Sequence, residues 1–213
     1  DRGPHGVEVD GGRHDRDPHL VRAERRDRDL VDVERLPGVL VVVIHAVEHL
    51  LLVLADVRTD GKRIRLAGVV YDGNGNPIDD ALLEIWQADA NGIYPHSADP
   101  RHSEADSHFR GFGRAQNKDG GLYEFHTIKP GGRDGHAPFI NLHLFARGML
   151  LHAQTRIYFA DEPADATDPV LLSVPVERRL TLLARLEEDG EIPVYRFDIH
   201  LQGEQETVFF ELE

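Results

Sequence analysis

The turn Asp72-Gly73-Asn74-Gly75, set between Val69-Val70-Tyr71 and the apolar run Leu83-Glu84-Ile85-Trp86, most constrains what this chain can fold into. Gly and Asn tolerate the positive φ that a tight reversal demands, and Pro77 fixes φ just beyond it. The segment therefore predicts two β-strands around a short connection. Strand-like runs recur at 63–71, 81–86, 122–128, 140–146, 154–159, 194–201 and 207–212. In the sixth of these, Tyr195, Phe197 and Ile199 alternate with Arg196, Asp198 and His200, the two-residue period of a half-buried strand. Only 174–188 reads as helix, with Val176, Leu180, Leu183 and Leu186 at three- and four-residue steps. Many short strands punctuated by Gly and Pro, with one short helix, predict an all-β chain built as a β-sandwich.

The chain divides at Thr59. Residues 1–58 contain no Ser, Thr, Asn, Gln, Lys, Phe, Tyr, Trp, Met or Cys, although ordinary usage would supply many of them over that length. They read as an atypical N-terminal arm, disordered or translated from the wrong frame or strand. Within the arm, 36–57 is a largely apolar run interrupted by His45, Glu48, His49 and Asp56. Charge is costly in lipid, so this run reads as a buried or aggregation-prone segment rather than a span. His5, His14 and His19 match no metal-ligand spacing and read as part of a solvated polar arm.

Residues 59–213 are expected to form one domain, a size a single core can support. The formal net charge of −14 excludes a nucleic-acid partner, which needs clustered Lys and Arg against phosphate. From Thr59 on, 15 basic residues face 26 acidic ones, so the domain itself is acidic. Zero cysteines removes disulfides, thiolate metal sites and a cysteine nucleophile. With no secretory signal pattern at its start, the chain is expected to be cytoplasmic and free of the membrane.

Taken with Gly113-Arg114, Thr127-Ile128-Lys129-Pro130-Gly131 and Gln202-Gly203-Glu204, the stretch Val69–Tyr94 resembles the intradiol ring-cleaving dioxygenases. The match runs from about Gly61 to the end of the chain. It implies a transthyretin (prealbumin)-like β-sandwich that cleaves a catechol with O₂ at ferric iron. Iron-bearing members hold the metal with two tyrosinates and two histidines, anionic oxygen donors suiting a hard cation. One tyrosine is expected before the Gly-Arg strand, but none occurs between Pro95 and Leu122. The second should follow the Lys-Pro-Gly motif, where Gly132-Arg133-Asp134-Gly135-His136 stands instead. The expected His-x-His is Asn141-Leu142-His143.

Three of the four implied ligands are thus absent, and Asn141 with His143 marks a degenerate pseudo-site with no metal and no catalytic residue. A lone histidine among apolar strand neighbours is ordinarily a satisfied core residue. Tyr71, Tyr94, Tyr123, Tyr158 and Tyr195 are likewise explained by strand packing.

The resemblance therefore implies an iron-free subunit whose homologous beta partner binds Fe(III), in a higher-order alpha-beta oligomer acting on protocatechuate, a carboxylated catechol. It places Arg147, in Leu144-Phe145-Ala146-Arg147-Gly148, at the substrate pocket, where a guanidinium suits a carboxylate; an ordinary surface arginine is the plainer alternative. The family's amino-terminal Pro-Ser-Gln-Thr-x-Gly-Pro-Tyr motif has no counterpart in the arm. Phe209 and Phe210 set an aromatic on each face of the last run, which suits both core and partner burial. Two alternatives remain open: a homomeric dioxygenase drawing on His102, His108, His126, His136 and His143, and a non-enzymatic transthyretin-like binding module.

Overall fold

The structure, a computed structural model, describes residues 35–36, 39–40, 53–117 and 119–211. The chain forms two compact units, Asp1–His45 and Ala46–Glu213. All that is described of the first is an antiparallel pairing of β1 (Arg35–Leu36) with β2 (Val39–Leu40). The rest of the arm up to residue 52, with His5, His14, His19 and most of the apolar run 36–57, lies outside the described residues.

In the second unit, β3 (Arg63–Tyr71) is the strand from which the sheet grows. On one side β6 (Leu122–Ile128) pairs with it antiparallel through seven residue pairs. On the other, β10 (Val194–Arg196) and β11 (Ile199–His200) pair with it in parallel, one after the other. The path continues from β10 to β9 (Leu183–Glu188), then β8 (Ala153–Phe159), β7 (Ile140–Phe145), β4 (Leu82–Gln87) and β5 (Phe112–Gln116). The result is mostly β, a single hydrogen-bonded path of nine strands that curls until its ends, β5 and β6, approach each other. One stretch of the path is thin: β8 meets β9 through only two parallel pairs, Tyr158 with Leu183 and Phe159 with Ala184.

Alternation explains the curl. Leu83, Ile85, Leu142, Leu144, Ile157 and Phe159 are fully buried from one half, and Ile64, Leu66, Val70, Phe125, Tyr195 and Ile199 meet them from the other. Residues 53–55 close the gap between the sheet's ends. Leu54 N donates to His126 O and Leu54 O accepts from Arg110 N, while the leucine side chain packs over Gly113. Gln87, wholly buried on β4, bridges the two halves: its Nε2 donates to Ile128 O at 2.9 Å, and its Oε1 accepts from Thr127 Oγ1 at 2.8 Å. Each polar atom of this bridge has a partner, which is the condition for burying it.

The helix lies elsewhere than the periodicity predicts. Residues 174–188 contain a 3₁₀ turn, Arg179–Leu182, followed by β9, while the one α-helix among the described residues is Pro169–Ser173 (α1). Val176 and Leu180 are 71% and 75% exposed, so their spacing never met a core that would fold it as a helix. The signal that decided the matter is Asp168-Pro169. Asp168 Oδ1 accepts from Val170 N and Leu171 N as an N-cap, and proline suits the first helical position. Its other oxygen accepts from Ala137 N at 3.0 Å, so the same buried carboxylate ties α1 to the loop before β7.

The run 194–201 is broken at Phe197-Asp198. Phe197 O turns inward over Gly68 and accepts a hydrogen bond from the Tyr123 hydroxyl, and Asp198 Oδ1 accepts from Val69 N in place of a ladder partner. The run at 207–212 forms no strand among its described residues, although Phe210 N still donates to Gln154 O. Phe209 packs on the main core and Phe210 on a smaller cluster around Tyr158 and Leu171.

A Cβ at Gly68 would stand 1.8 Å from Phe197 O, a clash with backbone rather than with a yielding side chain. Gly68→Ala should lower stability by about 3 kcal/mol, the cost of overpacking a rigid contact, read as a lower urea midpoint with an unchanged slope.

Candidate functional site

The site is built on the loop that leaves β4. Asp89, almost fully buried, accepts from Asn91 N and Ile93 N at one carboxylate oxygen, both at 2.9 Å, and from Asp106 N at the other. Its own carbonyl accepts from Gly131 N at 2.8 Å, which docks the loop on the segment after β6. Gly92 has φ +74°, and a Cβ there would lie 2.4 Å from Gly132 O. Only glycine permits both the turn and the approach.

This docking brings Tyr94 to Arg133. Asp99, 6% exposed, accepts from Tyr94 N, Arg101 N and Arg133 Nη1, the last at 2.6 Å. The Arg133 guanidinium lies 5.1 Å from the Tyr94 ring centroid. The strands supply the rest. Cross-strand register sets Asn141 on β7 between Trp86 on β4 and Arg156 on β8, and sets His143 between Glu84 and Gln154. Trp86, Tyr94, His96, Asp99, Arg133, Asn141, His143, Gln154 and Arg156 thereby line one cavity of about 780 Å³.

Its electrostatics are uneven. The backbone amides of Arg101 and Tyr94, and then Arg133, hold the Asp99 carboxyl well below the usual carboxylate range. Burial raises the Tyr94 phenol against the pull of Arg133 and Arg156, so the ring stays protonated while its oxygen accepts from Asn141 Nδ2 at 3.2 Å. Burial, with His152 alongside, lowers the His143 imidazole and keeps it neutral. Two polar atoms in the wall, Gln154 Oε1 and Arg156 Nη1, are buried without a hydrogen-bond partner in the protein.

Asn141 and His143 thus stand together in the cavity wall, with His143 half-buried. Tyr94, read from sequence as packing, is in the cavity with them. Arg147 is elsewhere: it follows β7 on a turn, its side chain is 84% exposed, and its Nε donates to Asp80 Oδ2 at 2.6 Å. The histidines at 102, 108, 126 and 136 are dispersed, bonded to Asp99 O, Asp56, Glu124 and Asp168 respectively, and none lines the cavity. Sequence reasoning missed Arg133, Gln154 and Arg156. For Arg156 a signal existed, since a cation in the strand Gln154-Thr155-Arg156-Ile157-Tyr158-Phe159 has no reason to be there unless something meets it.

A profile of the Dioxygenase family matches residues 42–203. The chain belongs to that dioxygenase family. The protocatechuate 3,4-dioxygenase alpha chain of Burkholderia cepacia is 44% identical over 164 residues, covering 75% of this chain and 82% of that one. The beta chain from the same organism is 35% identical over 158 residues, covering 69% and 67%. Among solved structures, the dioxygenase domain of a dioxygenase carbohydrate-binding protein fusion from Streptomyces sp. SirexAA-E superposes with a TM-score of 0.56 at 27% identity, over 70% of this chain and 86% of that one.

The family is iron-dependent, yet the residues present in this dioxygenase do not fit ferric iron. The cavity offers two imidazoles from separate elements, His143 and a His96 whose Nδ1 already accepts from Ala98 N, with a protonated phenol already bonded to Asn141 and a carboxylate already holding three donors. Among the described residues no group of three or more His, Cys, Asp or Glu is placed to hold a metal ion. A hard trivalent cation needs more anionic oxygen than this wall provides.

Asp99 sets a pH dependence whose sign follows from its depressed pKa. The unfolded carboxyl titrates near 4, so the stability from Asp99 is present above that pH and lost as pH falls toward the lower folded value. Asp99→Asn should be less stable than the unsubstituted chain at pH 7, and the difference should shrink at pH 3, as urea unfolding at the two pH values would show.

Proposed function

We propose that this chain is the alpha-type, iron-free subunit of a heteromeric protocatechuate 3,4-dioxygenase. The assembly inserts both atoms of O₂ into protocatechuate and opens the ring to 3-carboxy-cis,cis-muconate, a step of aromatic catabolism by the beta-ketoadipate route. The observation that carries the reading is the donor set at Asn141, His143 and Tyr94, which keeps the cavity but not the ligands. The greater identity to the alpha chain than to the beta chain of one organism supports it.

In this reading Fe(III) belongs to a homologous beta subunit, and this chain forms one wall of that subunit's substrate pocket. Arg147 is the residue it presents. The Asp80 carboxylate now beside it is largely a surface partner, worth little in water, and a substrate carboxylate in a drier interface would compete for the same guanidinium. Residues 59–213 act as the dioxygenase-like domain, with 1–58 as an arm whose residues 53–55 complete that domain's core. We describe that domain as a transthyretin-like sandwich of a five-stranded half, β6-β3-β10-β9 with β11 also on β3, and a four-stranded half, β8-β7-β4-β5, joined at the two-pair seam. The setting is cytoplasmic; no described helix is long and apolar enough to cross a membrane.

Iron should be absent from the chain purified alone and present at about one ion per pair when it is co-expressed with its beta partner. Stoichiometric ferric iron in the isolated chain would overturn the reading. In the assembled enzyme, Arg147→Gln should raise KM for protocatechuate about tenfold, the weight of one charge-assisted hydrogen bond, with kcat little changed. Unsubstituted catechol, lacking the carboxylate, should show no such change.

A further inference from the structure

We infer that Asn74, at the tip of the turn between β3 and β4, is a spontaneous modification site: the folded chain deamidates there to aspartate and isoaspartate, while its other Asn-Gly step, Asn91-Gly92, is protected by the docking of its turn.

The chemistry needs only water. The Gly75 nitrogen attacks the side-chain carbonyl carbon of Asn74, and the new C–N bond closes a succinimide ring. The side-chain nitrogen leaves as ammonia, taking the proton that the backbone nitrogen gives up. Water then opens the ring at one carbonyl or the other. One opening gives aspartate, and the other gives isoaspartate, whose backbone is one carbon longer. A following glycine favours the step because no Cβ crowds the attacking nitrogen or restricts its rotation.

The chain has five asparagines, and three are excluded by their surroundings. Asn76 precedes Pro77, whose nitrogen has no hydrogen to give up. Asn117 is buried, its Nδ2 bonded to Ile78 O and its Oδ1 to Ala81 N. Asn141 lies inside β7, paired with β4 on one side and β8 on the other. The remaining two are built alike. Asp72 Oδ1 accepts from Asn74 N and Asn76 N, and Asp72 O accepts from Gly75 N. Asp89 Oδ1 accepts from Asn91 N and Ile93 N, and Asp89 O accepts from Gly92 N. Gly75 and Gly92 have nearly the same φ, +78° and +74°.

What differs is what each turn rests on. Asn74 and Gly75 are both exposed, and a Cβ at Gly75 would meet nothing within 4 Å. Gly92 is buried under Gly132 O, and its own carbonyl accepts from Arg101 Nη2. Asp89 also holds Asp106 N with its second carboxylate oxygen and Gly131 N with its carbonyl. The glycine nitrogen reaches the side-chain carbonyl only when the peptide between them rotates. At Asn74 that rotation breaks bonds within the turn. At Asn91 it also breaks the bonds to Arg101, Asp106 and Gly131, and local opening is rarer where more contacts are lost.

Conversion at Asn74 places a second carboxylate beside Asp72, and the isoaspartate form lengthens a turn that Asp72 and Asn76 close across Asp72 N and Asn76 O. The next residue back, Tyr71, pairs with His200 on β11, so the strain falls on the end of that short pairing.

The test incubates the full folded chain at mildly alkaline pH and follows the peptides carrying Asn74 and Asn91 by chromatography and mass spectrometry, with a parallel sample in guanidinium chloride. In the folded chain Asn74 should convert at least about tenfold faster than Asn91, a factor that the extra hydrogen bonds readily supply. In guanidinium chloride the two rates should fall within about threefold of each other, since the docking is gone. The product at Asn74 should separate into two acidic forms of equal mass, aspartate and isoaspartate. The inference is overturned if Asn74 converts no faster than Asn91 in the folded chain, or if the same preference persists after denaturation, which would assign it to sequence alone. Aspartate as the sole product would sink it too, because direct hydrolysis without the Gly75 nitrogen gives that result.

Discussion

A single buried carboxylate, Asp89, organises the loop side of the cavity. It stands where β4 ends and spends both oxygens on backbone amides: two within its own turn and one from Asp106, seventeen residues on. Its carbonyl then takes Gly131 N from the far side of the sheet. Three segments distant in sequence are thus gathered at one point, and Tyr94, Asp99 and Arg133 are positioned as a result. Charge-assisted bonds to backbone amides are among the stronger polar contacts in a protein interior. Without them the loop after Trp86 would be held against residues 131–133 only by the Gly131 N bond to the Asp89 carbonyl and by the Arg133–Asp99 pair.

Much of the fold was legible because half-buried strands write their pattern directly into sequence. The runs 63–71 and 122–128 match β3 and β6 at both ends, since apolar residues at every second position meet a single core. Where the reading failed, a local feature overrode the pattern. Val176 and Leu180 carry helical spacing but face solvent, whereas the short helix begins at a cap and a proline a few residues earlier. Strand β5 was indicated by the resemblance's Gly-Arg strand and not by pattern, because Phe112-Gly113-Arg114-Ala115-Gln116 has too few large apolar residues; its place comes from pairing with β4 and from Leu54 filling the room that Gly113 leaves.

The site was legible in its losses and illegible in its gains. The absence of tyrosines between Pro95 and Leu122, and Asn141 in place of a histidine, could be read from the chain because the resemblance says where to look. That Tyr94 turns inward could not, since it depends on the Asp89 and Asp99 hydrogen bonds that curl the loop. Nor could the pairing of Arg133 with Asp99, which joins residues on opposite sides of the sheet. Arg156 was visible as an anomaly in a strand, but its meaning needed the register that sets it beside Asn141.

The two-pair seam between β8 and β9 has a consequence for how the molecule moves. Elsewhere neighbouring strands are laced by ladders of up to seven pairs, whereas at Tyr158 and Phe159 the backbone connection is short, parallel and flanked by loops. Regions with few backbone hydrogen bonds open locally at a lower free energy than the ladders around them. The strand bordering this weak line also carries Gln154 and Arg156. The sheet can therefore breathe along one wall while the β3–β6 ladder stays shut.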